Sequence, residues 1–191
     1  IEIEMANCLL FDYRNLAEFQ GKSPSGADIL GPFFGGLSMV QREPYLLTQK
    51  YFWPFLDKSV LLFHTQKKLA THDHISQIQE IPVSQFSSQM QLLLQGLQSS
   101  DWEMFLLGLS GYRQILEQNN WVADHTAEIL AYLDTHPQVL FVKGCGAMGA
   151  DVVAVFCAKS AKDVLIAEIQ EKGLILMASE ENITAGISIC S

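Results

Sequence analysis

Residues 138–157, QVLFVKGCGAMGADVVAVFC, constrain the fold more than any other segment of the chain. Val139, Phe141 and Val142 on one side and Val152, Val153, Val155 and Phe156 on the other are β-branched and aromatic types that favour strands. Between the two runs Gly144, Gly146 and Gly149 allow a tight strand-to-strand loop, because glycine accepts backbone angles other residues avoid. The same glycines spell G-x-G-x-x-G, the string of the dinucleotide-binding fingerprint. That fingerprint needs a helix after the loop, so that the pyrophosphate meets a helix N-terminus. A strand follows instead, and a doubly wound nucleotide fold is set aside. What remains is a plain turn, or a glycine loop whose backbone comes close to a ligand or to another loop.

The rest of the chain alternates helical and extended patterns. Leu9, Leu10, Tyr13, Leu16 and Ala17 recur at helical spacing, which predicts a helix over 2–20 stopped by Gly21. GKSPSGADILGPFFGG, dense in Gly, Pro and Ser, reads as a loop. Strands are expected at Leu37–Arg42, Leu46–Phe52 and Ser59–Thr65. Phe86, Met90, Leu93 and Leu97 mark a helix, and Ser100 with Glu103 forms a capping-box pattern that opens the next. A further helix near Ala123–Leu133 ends before Pro137, and another runs from Ser160 to a close at Gly173. LILMA and ITAGISI finish as strands. Hairpin-like strand pairs mixed with helices make the class α+β.

Composition removes whole classes of function. The chain carries 21 acidic against 12 basic side chains, a net charge of −9, and phosphate backbones need clustered cations, so no nucleic-acid partner is expected. Its longest unbroken apolar run, Val152 to Ala158, falls far short of the roughly 20 residues that span a bilayer, so no membrane segment is expected. Only 17% of residues are charged, against about 25% in ordinary soluble domains. That predicts an apolar surface, some of it facing another domain. Cys8, Cys145, Cys157 and Cys190 are scattered without a C-x-x-C pair, and no signal peptide opens the chain, so free thiols in a reducing cytoplasm are expected.

Two further segments invite chemistry. His72-Asp73-His74 could hold a metal only on a strand, where alternate residues share a face, and no further ligand stands nearby in sequence. A solvated helix start with Thr71 as its cap is the plainer reading. Asp28, in SPSGAD, could accept a proton from a substrate hydroxyl, or it could simply cap a helix or hold an Asx-turn. No Walker-type, H-E-x-x-H or G-x-S-x-G string occurs.

Taken together, SPSGADILGPFFGG and KGCGAMGAD change the picture. The first resembles the S-G-x-D segment and following Gly pair of the GHMP small-molecule kinases, which include galacto-, homoserine, mevalonate and phosphomevalonate kinases. The second resembles the third, glycine-rich motif of that superfamily. HTQKKLATHDH, between them, is similar to the stretch where those enzymes enter their C-terminal helices. The resemblance spans nearly the entire chain.

It implies an S5-like N-terminal remnant over 1–65 and a ferredoxin-like C-terminal plait over 66–191. It implies that Asp28 acts as base or orients the attacking hydroxyl, that Ser25 and Gly26 shape the loop around it, and that Gly144, Gly146, Ala147 and Gly149 form the loop against the active site. It further implies ATP and Mg²⁺ in the full-length enzyme, with neither bound by this chain alone. The superfamily's phosphate loop and its N-terminal strand would precede Ile1, so the chain is expected to be the C-terminal part, with the N-terminal domain as its missing partner and a homodimer as a further expectation. Mevalonate or phosphomevalonate is the favoured acceptor. Met148 and Ala150 depart from the family's runs of Gly. The alternatives are a catalytically silent relative that binds a metabolite or a partner chain, and a self-sufficient α+β interaction domain that matches the motifs by chance.

Overall fold

Seven consecutive residues of β5, Val152–Ala158, are apolar because the strand lies inside a sheet covered on both faces; its five middle residues are buried. The computed structural model describes residues 2–19, 26–41, 46–67, 81–145 and 151–186. The chain divides into two compact units, residues 54–182 and residues 1–53 with 183–191.

In the larger unit, β3 (Lys58–His64), β4 (Val139–Cys145), β5 and β6 (Ile175–Ser179) form one sheet in the order β4-β5-β3-β6. Each neighbouring pair is antiparallel, as the glycine-linked hairpin requires for β4 and β5. Three helices, α3 (Val83–Ser99), α4 (Trp102–Gln118) and α5 (Asp124–Asp134), lie between β3 and β4 in sequence, and α6 (Lys162–Glu171) lies between β5 and β6.

Side-chain alternation splits the sheet's contacts cleanly. On one face Leu61, Phe63, Val142, Val153 and Val155 pack with Leu130 and Leu133 of α5 and Leu165 and Ile169 of α6. On the other, Phe156 meets Phe105 at 5.9 Å, Trp102 at 6.2 Å and Phe141 at 6.0 Å, while Phe55 stands 5.1 Å from both Trp102 and Phe105. Each fully buried large side chain among them contributes roughly 1.5–3 kcal/mol, so these two layers define the unit.

The smaller unit pairs α1 (Glu2–Phe19) with α2 (Ala27–Phe34), burying Ala6 and Leu10 with Leu30, Phe34 and Leu46. β1 (Leu37–Gln41) and β2 (Leu47–Tyr51) form an antiparallel hairpin in register Leu37 to Tyr51. The returning chain is tied on by Gly36 N–H to Thr184 C=O at 2.7 Å and Lys50 Nζ to Ala185 C=O at 2.8 Å.

Three expectations need correction. Residues 27–34, read as loop, are helical: the apolar run Ile29, Leu30, Phe33 and Phe34 wins over Pro32, which costs one N–H near the helix end. Residues 183–186 form no strand, because Gly186 at φ 89° breaks the extended run; the rest of ITAGISI lies outside the described residues. Ser100 does not cap α4. It sits at φ 56° and closes α3, and Asp101, extended at φ −93°, accepts from Met104 N–H at 3.0 Å instead. β3 is an inner strand of the larger unit's sheet, and residues 183–186 group with the smaller unit.

Candidate functional site

Gly26 begins α2 from the left-handed region, φ 83° and ψ 3°, with no side chain to cap the helix. Any Cβ there would run into the Leu10 side chain, so both backbone angle and space select glycine. Asp28 is the second residue of α2. Its first-turn position lies at the helix end whose N–H groups lack intrahelical partners, where negative charge is favoured. Ser25 lies outside the described residues.

In the larger unit one end of the sheet gathers the other predicted segment. Cys145 pairs with Val152, Val152 with His64, and His64 with Ile175, so the ends of β3 and β4 and the starts of β5 and β6 form one row. Gly144 is buried beside Val153. Gly146, Ala147 and Gly149 lie outside the described residues, as does His72-Asp73-His74. Among the described residues no group of three or more His, Cys, Asp or Glu is placed to hold a metal ion.

Both flanks of residues 146–150 are anchored. On the β4 side, Lys143 Nζ donates to Gly144 C=O at 2.8 Å and sits 4.7 Å from the centre of the Tyr112 ring. Tyr112 is packed by Phe86 at 4.7 Å, with Trp121 parallel behind it at 6.2 Å. Burial, and after it the nearby Cys145, push the Tyr112 phenol above its ordinary pKa. Arg113, one residue on, donates to Val142 C=O at 2.9 Å and to Asp134 and Glu117. The Asp134 hydrogen bond leads in holding this guanidinium charged, against the opposing effect of burial. On the β5 side, Thr65 N–H and Oγ1 both reach Asp151 C=O, at 2.9 and 3.1 Å. His64 Nδ1 accepts from Gln66 N–H at 2.9 Å, which leaves the proton of the neutral ring on Nε2.

The opposite end of the sheet carries a buried ionic cluster. Glu180 accepts from Ser59 Oγ at 2.9 Å, Val60 N–H at 3.2 Å and Lys162 Nζ at 3.2 Å; Lys162 also meets Glu181 at 2.8 Å. Burial works to lower the Lys162 pKa, but its bonds to Glu181 and Glu180 outweigh that and raise it. This cluster locks the turn after β6 onto β3. Sequence reading missed it because its members are 120 residues apart. It also passed over Lys143 and Thr65, though both stand beside segments it singled out; a cation immediately before a glycine-rich segment is the signal that was available.

Thus Gly26 and Asp28 belong to one compact unit and Gly144 to the other. In structure the chain is similar to the GHMP kinases, matching their C-terminal half. Mevalonate kinase from L. major, solved with R-mevalonate, is similar with a TM-score of 0.63 and 15% identity over 79% of this chain and 49% of that one. Phosphomevalonate kinase from Streptococcus pneumoniae gives 0.58 at 14% identity, over 73% and 44%. Homoserine kinase from Cytophaga hutchinsonii gives 0.59 at 12%, over 87% and 54%. The chain therefore spans about half the length of the structures it matches. No family model and no curated protein matches the sequence.

Proposed function

We propose that this chain is the C-terminal part of an ATP-dependent kinase that phosphorylates a small metabolite. One observation supports the reading above others: a fold shared with three small-molecule kinases occurs in a chain that carries SGAD and GCGAMGAD in the order and spacing of that superfamily. In this reading residues 1–65 hold the remnant of an S5-like N-terminal domain and residues 66–191 the ferredoxin-like plait, whose sheet of order β4-β5-β3-β6 borrows β3 from the end of the first segment.

Phosphoryl transfer asks chiefly for positioning and charge neutralisation, with one group near the nucleophilic oxygen. Asp28 takes that place, accepting or orienting the proton of the substrate hydroxyl. Ser25 and Gly26 set the backbone that carries it. Gly144, Gly146, Ala147 and Gly149 keep side chains out of the space the substrate needs. ATP with Mg²⁺ supplies the phosphoryl group in the whole enzyme. In this reading the ligands of the Mg²⁺ come from the rest of the enzyme.

Mevalonate or phosphomevalonate is the acceptor we favour, because Asp28-Ile29 and Asp151 at the close of the glycine loop are closer to the phosphomevalonate kinase pattern. The homoserine kinase fold is matched equally well, so the substrate screen must include it. ADP release by the protein expressed from its whole reading frame, with mevalonate, phosphomevalonate and homoserine in parallel, tests the proposal. Release dependent on one of the three is expected; silence with all of them sends the chain to the metabolite-binding class.

A further inference from the structure

Four cations of the larger unit are buried or half-buried among the described residues: Lys58, Arg113, Lys143 and Lys162. Three are matched by carboxylates. Lys58 pairs with Asp57, Arg113 with Glu117 and Asp134, and Lys162 with Glu180 and Glu181. Lys143 meets only the Gly144 carbonyl at 2.8 Å and the face of Tyr112 at 4.7 Å, with no carboxylate at ion-pair distance among the described residues. A charge withdrawn from water is normally paired. A ring face compensates for only about 0.5–2 kcal/mol of that cost.

Capping an edge carbonyl does not explain the missing counter-charge. β4 is an edge strand, and Arg113 caps its Val142 carbonyl while still binding two carboxylates. An ammonium has three N–H donors. One is spent on Gly144, and the Tyr112, Phe86 and Trp121 stack holds the group in one place, at the same sheet end as His64, Cys145 and Asp151.

We propose that Lys143 is an anion-contact residue whose ammonium binds a phosphate or carboxylate oxygen of a small metabolite at this end of the sheet. That the metabolite is the phosphoryl acceptor rests on the kinase reading; the contact itself does not. Isothermal titration of this chain with inorganic phosphate and, separately, with R-mevalonate tests it on wild type, Lys143→Met, Lys143→Gln and Lys143→Arg. Lys143→Gln keeps a donor for Gly144 without the charge, and it serves if the Met variant does not fold.

The expected result is binding weakened about tenfold or more in Met and Gln, restored to near wild type by Arg, with melting temperatures unchanged. Weakening towards phosphate alone assigns a phosphoryl group, and towards mevalonate alone a carboxylate; either supports the contact. Equal affinity across the variants, or no binding by the wild type, overturns it. Weakened phosphate binding in a protein that releases no ADP would remove the kinase reading and leave the contact standing.

Discussion

Cys157 shows how far one side chain's surroundings set its chemistry. It is fully buried in the sheet, and burial first, with Glu180 adding and Lys162 opposing, pushes its thiol up to about 11 from the ordinary 9.0. Between those values the unfolded chain releases the proton while the folded chain keeps it, so stability falls as pH rises through that window. At full extent the loss is about 2–3 kcal/mol. Lys162, whose pKa is raised above 10.5, adds a further loss only above that value, where its unfolded form becomes neutral and its folded form stays paired. Urea unfolding at a series of pH values from 8 to 10.5 should show the decline in wild type and a flatter profile in Cys157→Ala. Equal slopes in the two proteins would contradict the burial argument.

Among the elements, the start of α4 separates what the sequence reveals from what it conceals. Ser100 and Glu103 fit the capping-box pattern, but α3 runs one residue further than the pattern allows and uses Ser100 to close itself, leaving Asp101 as cap. Asp101→Ala should cost about 1 kcal/mol in chemical denaturation, and Ser100→Ala should leave α4 intact. A larger loss in Ser100→Ala than in Asp101→Ala would restore the capping box.

The same logic covers the fold as a whole. Strands β1 to β6 were legible because period-two or unbroken apolar runs are local signals, as in Val152–Ala158. Helix α2 was hidden because Gly and Pro density outweighed four apolar residues that count only once Leu10 and Leu46 are packed on them. The surroundings of the candidate site were legible at Gly26, whose φ of 83° favours glycine, whereas Gly144 is an ordinary strand residue. They were not legible where partners converge from afar, as Tyr112 does on Lys143 or Thr65 on Asp151.

The whole molecule is two compact units, with the acidic helix start in one and the glycine hairpin in the other. Among the described residues no helix is long and apolar enough to cross a membrane. α1 nevertheless exposes Met5, Leu9 and Leu16, which share one helical stripe away from buried Ala6 and Leu10. Such a stripe fits the low charged fraction and is the kind of surface another domain covers.

In the proposed chemistry Asp28 is the group at the reacting hydroxyl. The most direct measurement is the turnover number of Asp28→Asn against wild type, in the complete protein and with the substrate that supports ADP release. Removing a general base predicts a fall of about 10²-fold or more, with the melting temperature unchanged. Turnover equal to wild type would take Asp28 out of the mechanism and, with it, the reading of SPSGAD as part of an active site.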